Sequence, residues 1–405
     1  MKPIAFVTPW YGSNIQGGAE TLCREVVKHL QQSNTEMEIL TTCVKEFLSD
    51  WNTNFFNTGE CSINCIKVRR FPVSSRNAEK FDKVNYKLIN NIPVTQEEES
   101  IFFDEMINSP SLYRYINENY NKYHCFVFIP YMFGTTYKGT MQCKGKNILI
   151  PCIHDESYAY MKPIKEMMEN AAGLIFNSKA EFDLAKKIYR IDNIKSEVIG
   201  MGIDPEPFKK SNPDRFRKKY NIDNKFILYA GRKEKGKNVD ELLEFFIKYK
   251  ESSKRIDVKL IFIGGGNIFI PNEYKSEIID LGFIPVEDKY DAYSAASIFC
   301  NPSKNESFSI VLMESWLAGI PVIVNGWCEV TKNFCLESNA GLYYTNRDEF
   351  FSTIDLLLTD ENLSKAIGQN GKSFVINNFS WEIIIERYKR FFEKTFYSNH
   401  QEDAN

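Results

Sequence analysis

Short apolar runs alternate with helix-patterned segments along almost the whole chain, and this alternation most narrows the folds open to it. Strands are predicted over 3–8, 37–43, 65–71, 125–129, 147–153, 173–176 and 197–199. Helices are predicted over 19–31, 162–171 and 178–188, with a polar, helix-prone region over 95–121. Residues 200–223 break the pattern with Pro205, Pro207 and Pro213, and read as a linker followed by a short helix. A second series follows, with strands over 226–230, 258–263, 276–280, 298–300 and 321–324 and helices over 239–250 and 310–318. Apolar strands between helices imply parallel sheets covered on both faces. The expected class is α/β, with two doubly wound, Rossmann-like domains facing a central cleft that serves as the ligand site. The expected boundaries are 1–203 for the first domain, 204–380 for the second, and 381–405 for a last helix and polar tail.

At 405 residues the chain exceeds one ordinary core, in keeping with two domains. A net charge of −3 argues against nucleic acid as a partner. No run of about 18 apolar residues predicts a transmembrane helix. The N-terminus reads as a first strand rather than a signal peptide, and the ten scattered cysteines read as reduced and structural. A cytoplasmic protein is the expectation. The basic stretch from Arg215 to Lys219 has two readings, a solvated face and a peripheral contact with the inner face of a membrane.

The chemistry concentrates in a few places. Glu306 and Glu314 stand eight positions apart, one in a strand-to-helix loop and one inside the helix, which is read as starting near Ser307. Two carboxylates so placed can hold opposite ends of one nucleotide-sugar-sized ligand. Between them the backbone N–H groups of Phe308 and Ser309 would welcome a phosphate or sugar oxygen. Arg232 and Lys237 follow a strand and could neutralise a diphosphate, but Lys233 and Lys235 could share or replace that role. Gly17 and Gly18 open the first helix, where backbone amides can approach an anion or simply turn the chain. His154 ends a strand and has both a structural and a functional reading. Gly264, Gly265 and Gly266 form a tight turn or leave room for a ligand. A dinucleotide fold is disfavoured, because G-x-G-x-x-G and the ribose-binding acid after the second strand are absent. No G-x-S-x-G elbow or metal-ligand spacing is present.

Taken in order, these stretches resemble the retaining glycosyltransferases of family 4, which have the GT-B fold. The resemblance runs from Gly17-Gly-Ala-Glu20 through Val198–Asp204, Gly231-Arg232 with Lys237-Asn238, and Ile263–Gly266. It continues through Leu281–Ile284 and the Glu306-x7-Glu314 block to Gly319–Val322. It implies that Arg232 and Lys237 bind the donor diphosphate, Glu306 orients the donor sugar, and Glu314 accepts from the ribose hydroxyls. It also implies backbone contacts from Ser307, Phe308 and Ser309 to sugar and phosphate and from Ile284 to the base. His154 would lie beside the reacting sugar and Gly17 and Gly18 against the phosphate. The last helix would return to the first domain. Ser307 and Ser309 stand where the family often has glycine, and a serine fits there if its φ is negative.

The implied activity is transfer of a hexose from a nucleotide diphosphate sugar, with UDP-glucose the first choice, to a hydroxyl of a saccharide or lipid-linked acceptor. No cofactor and no metal is expected. The alternatives are a nucleotide-sugar epimerase or hydrolase of the same fold, and a non-catalytic GT-B binding subunit. The acceptor side is expected to involve residues 77–121, the turn from Tyr131 to Tyr137, and Tyr158 and Tyr160, each of which has loop packing as its other reading.

Overall fold

The computed structural model describes residues 2–15, 17–252 and 257–397, so the expected polar tail lies outside the described residues. The chain divides into two compact units, residues 1–202 with 382–405, and residues 203–381.

The first unit is built on strands β1 (Ile4–Thr8), β2 (Met37–Thr42), β3 (Gly59–Ile63), β4 (Ile66–Phe71), β5 (Cys125–Phe128), β6 (Asn147–Leu149), β7 (Gly173–Phe176) and β8 (Ser196–Val198). Their order in the sheet is β3-β4-β2-β1-β5-β6-β7-β8. Every pairing is parallel except β3 with β4. Strands β1, β2, β5, β6 and β7 are buried along their whole length, and all but β2, which also buries Glu38, Thr41 and Thr42, read as mainly apolar runs. The hairpin strand β3 is exposed and carries no such run, and the sequence reading passed over it.

Residues 77–121 carry three helices, Ala78–Ile89, Gln96–Asp104 and Pro110–Glu118; the last two fall in the region read as helix-prone, and the first was not anticipated. Thr95 and Glu98 form a reciprocal capping box at the start of the second of these. Within the first unit the helix Trp381–Tyr397 packs from Glu382 onward, burying Ile384, Tyr388 and Phe392. Gly173 leaves room for the Phe391 ring, which a Cβ there would meet at 2.9 Å. Each buried side chain of this kind contributes roughly 1.5–3 kcal/mol.

The second unit contains β9 (Lys225–Ala230), β10 (Val258–Ile263), β11 (Ile278–Asp280), β12 (Ile298–Asn301), β13 (Val322–Asn325) and β14 (Gly341–Tyr344). All pair in parallel, in the order β11-β10-β9-β12-β13-β14. The chain runs outward from β9, then returns to β12 on its other side. That reversal is the topological switch point, where open α/β sheets hold ligands beyond the carboxyl ends of their strands.

The segment read as a linker carries helices Glu206–Lys209 and Pro213–Tyr220. Arg215, Arg217 and Lys219 are engaged within the unit. Arg215 forms a two-pronged bond to the buried Asp291, Lys219 pairs with Asp288, and Arg217 donates to the carbonyls of Ile222, Asn224 and Ala295. These pairings fasten Pro213–Tyr220 to the helix Val286–Ala295.

Candidate donor site and the strand ends of the first unit

In the second unit every residue predicted for the donor site falls on, or within a helix that follows, a carboxyl strand end. Gly231 and Arg232 follow β9, and Gly264–Gly266 follow β10. The two loops touch through their backbones. A Cβ at Gly264, whose φ is 114°, would stand 2.2 Å from the Gly231 carbonyl oxygen. The glycine run is therefore explained by the close approach of the β9 and β10 loops.

Lys233 belongs to this packing and not to a ligand. Its side chain is fully buried, donates to the Gly264 carbonyl, and lies 3.1 Å from Asp280. This removes it from the four cations left open by the sequence. Arg232 remains exposed and pairs with Glu234 at 3.2 Å. Lys237 sits just before the helix Val239–Glu251 and donates to Glu306 at 2.8 Å. Asn238, in the left-handed conformation, bonds to the Pro302 carbonyl and ties the β9 loop to the β12 loop.

The helix after β12 spans Ile310–Leu317, which matches the helix pattern over 310–318 and not a start near Ser307. Ser309 is its N-cap, so the amides of Ser309, Ile310 and Val311 have no partner within the helix. The ring of Phe308 is buried against Phe334 and Phe379. Ser309 corrects a second expectation. Its φ is positive, 68° with ψ 76°, so a serine occupies the conformation that glycine favours. The Oγ of Ser309 accepts from the Asn301 amide at 2.9 Å and is buried. Ser307, by contrast, is absent from the positive-φ positions.

Glu314 lies inside Ile310–Leu317, 8% exposed, and accepts from Lys289 at 2.6 Å. Burial pulls the Lys289 ammonium down, but Glu314 and Tyr290 outweigh it and hold its pKa above the ordinary lysine value. Sequence reasoning missed Lys289, since one lysine in a charged helical stretch carries no motif. Ile284 stands just before Pro285 and the helix Val286–Ala295, on the turn after β11.

The first unit gathers its own candidates at the carboxyl ends of β1, β5, β6 and β7. Gly17, with φ 147°, caps the helix Gly18–Gln32. A Cβ at Gly17 would stand 2.0 Å from the Glu20 carboxylate, which accepts from the Trp10 indole at 2.7 Å. Gly18 has open space where a Cβ would point.

His154 Nδ1 lies 3.4 Å from Glu156, and the Tyr131 hydroxyl donates to the same carboxylate at 3.0 Å. Burial pushes Glu156 up, yet the bonds from His154 and Tyr131 outweigh it and hold its pKa below the ordinary value. Tyr131 is fully buried, so it belongs to the core and not to an acceptor surface. Tyr158 packs on Phe102 with its hydroxyl on Asn85, whereas Tyr160 is 55% exposed.

Behind His154 the buried Glu181 accepts from the amides of Ile153 at 2.7 Å and Asn177 at 2.6 Å, joining the ends of β6 and β7. Burial raises its pKa from 4.5 to about 7 despite those bonds. Its signal in the sequence was Ser178-x-x-Glu181, a capping pattern in which Ser178 does accept from the Glu181 amide. Among the described residues no group of three or more His, Cys, Asp or Glu is arranged to hold a metal ion. Among them, too, no helix is long and apolar enough to cross a membrane.

Comparison with known proteins agrees with this architecture. Residues 212–374 match the family described as Glycosyl transferases group 1. An uncharacterized glycosyltransferase of Methanocaldococcus jannaschii is 29% identical over 220 residues, covering 49% of this chain and 53% of that protein. The capsular polysaccharide biosynthesis glycosyltransferase CapM of Staphylococcus aureus is 30% identical over 214 residues, covering 47% of this chain and 53% of its own. These alignments thus span about half the length of the curated relatives. The crystal structure of Anabaena HepE in complex with UDP matches with a TM-score of 0.70 at 14% identity, covering 97% of this chain and 100% of that one. The fold is GT-B, and the family match falls within the second unit.

Proposed function

We propose that this protein is a retaining glycosyltransferase of family 4. In this reading it moves a hexose from a UDP-sugar, with UDP-glucose the first donor to test, to a hydroxyl of a saccharide or lipid-linked acceptor. The work would be done in the cytoplasm, in polysaccharide or glycoconjugate synthesis. The observation that carries the reading is the placement of Arg232, the Lys237–Glu306 pair and the start of Ile310–Leu317 at the carboxyl ends of β9 and β12. The UDP complex of the HepE neighbour supports the choice of nucleotide.

Arg232, Lys237 and the open amides at Ile310 and Val311 offset the charge that grows on the departing diphosphate. Glu306 holds the hydroxyls of the transferred sugar and Glu314 those of the ribose. Ile284 contributes backbone contacts to the base, and Ser307, Phe308 and Ser309 line the sugar and phosphate. Gly17 and Gly18 are assigned to the phosphate and His154 to the transferred sugar. The acceptor oxygen bonds to the anomeric carbon on the face from which the diphosphate leaves. The departing phosphate oxygen takes the acceptor's proton, so neither a general base nor a bound metal enters the scheme.

The test is incubation with UDP-glucose, GDP-glucose and ADP-glucose, each with and without acceptor sugars, read by proton NMR at the anomeric signal. Slow release of α-glucose from one donor, and an α-linked product with acceptor, support the reading. A β-anomer first product overturns retention, and interconversion of donor sugars identifies an epimerase instead. Activity that is lost to EDTA and regained with Mg²⁺ overturns metal independence.

A further inference from the structure

Glu314 does not stand alone in the second unit, and its partner belongs to no motif. Lys289 lies in the first turn of Val286–Ala295, directly after the Gly282–Pro285 turn that closes β11. Its Nζ donates to Glu314 Oε1 at 2.6 Å and lies 4.6 Å from the Tyr290 ring centroid. The side chains are 30% and 11% exposed, so the bond is formed largely out of water. Tyr293, fully buried, borders the same carboxylate. A bond between two charged groups this far out of water fixes the rotamer of the carboxylate, and removing one partner leaves the other buried without its counter-charge.

We infer that Lys289 is a positioning residue for nucleotide recognition, holding the Glu314 carboxylate in the orientation in which it can accept from the ribose hydroxyls. The inference rests on the reading of Glu314 as the ribose-binding carboxylate. Lys289 acts through Glu314 and needs no contact with the nucleotide. Its loss therefore weakens the grip on ribose and leaves the reacting end of the donor untouched.

The experiment compares UDP with 2′,3′-dideoxy-UDP by titration calorimetry, and measures KM and kcat with UDP-glucose, in the parent, Lys289→Met, Lys289→Arg, Glu314→Gln and the Lys289→Met/Glu314→Gln double variant. The parent should prefer UDP over the dideoxy analogue by tenfold or more, since a bond to a charged group is worth about 1.5–3 kcal/mol. In Lys289→Met that preference should fall toward the value of Glu314→Gln. KM should rise about tenfold with kcat within about twofold, and Lys289→Arg should restore both. The double variant has no buried charge left unpaired, and should bind UDP no worse than Glu314→Gln alone.

A preference that collapses in Glu314→Gln but persists in Lys289→Met overturns the role of Lys289 and leaves the ribose reading intact. A preference that persists in Glu314→Gln itself overturns that reading, and the inference with it. A further loss in the double variant would show that Lys289 touches the nucleotide directly, which also overturns a role confined to positioning.

Discussion

At the scale of single residues, Ser309 shows a local preference yielding to the site around it. A left-handed backbone costs a side-chain-bearing residue about 1–2 kcal/mol, and the buried bond from Asn301 offsets part of that cost. Ser309→Ala loses the bond and keeps the strain, whereas Ser309→Gly loses the bond and relieves the strain. In urea unfolding, Ser309→Ala should therefore cost about 1 kcal/mol more than Ser309→Gly; equal costs would mean that the backbone there is not strained. The sequence raised the question, since Ser309 stands where the resembled family often has glycine, but a serine there implied a negative φ and the structure has a positive one. Glu306 is a separate case. Its removal should lower kcat by about 100-fold or more while the Kd for UDP stays within about threefold, because it is assigned to the reacting sugar. Steady-state kinetics and calorimetry on Glu306→Ala decide this, and unchanged turnover removes the assignment.

Among elements, the two glycines at the first helix separate fold from function. Gly17→Ala must adopt a positive φ and swing Glu20 off Trp10, at a cost of roughly 2 kcal/mol in thermal melting. Gly18→Ala meets open space and should leave stability within about 0.5 kcal/mol. If Gly18 lies against the donor phosphate, Gly18→Ala should nevertheless raise the donor KM. A stable variant with an unaltered KM would remove Gly18 from the donor site.

Legibility at this scale followed burial. The wholly buried strands β1, β2, β5 and β7 were plain in the sequence, as were the helices Gly18–Gln32 and Lys162–Glu169. Exposed β3 had no apolar run to betray it. The helix Ala78–Ile89 buries only Phe81, Val84 and Leu88, too sparse an apolar face to stand out, whereas Gln96–Asp104 and Pro110–Glu118 fell in the region read as helix-prone. Among the site residues, the motif positions were legible from order and spacing. Their partners were not: Lys289 for Glu314, Glu156 for His154 and Asp280 for Lys233 meet only through the tertiary fold.

For the whole molecule, the buried Glu181 makes stability depend on pH in a direction opposite to most carboxylates. Its folded pKa is raised by burial from 4.5 to about 7, so the folded state holds a proton that the unfolded state releases at lower pH. Stability contributed at this position is present below pH 4.5, falls as pH rises toward about 7, and is level above that. The fall amounts to about 3 kcal/mol at most. Glu181→Gln should flatten this part of the curve, seen as a smaller difference between urea unfolding at about pH 5 and about pH 8. An unchanged difference would mean that Glu181 does not titrate there.

The pairing of Arg232 with Glu234, Lys237 with Glu306 and Lys289 with Glu314 has a consequence for how a donor arrives. Each cation already carries a counter-ion supplied by the protein itself. A diphosphate entering such a site exchanges one anion for another and finds little uncompensated charge to draw it in from a distance. The affinity for UDP should then change by less than about threefold between about 0.05 and 0.5 M NaCl. Selection of the donor would rest on the geometry of that exchange, and the bulk ionic conditions of its surroundings would bear on it only weakly.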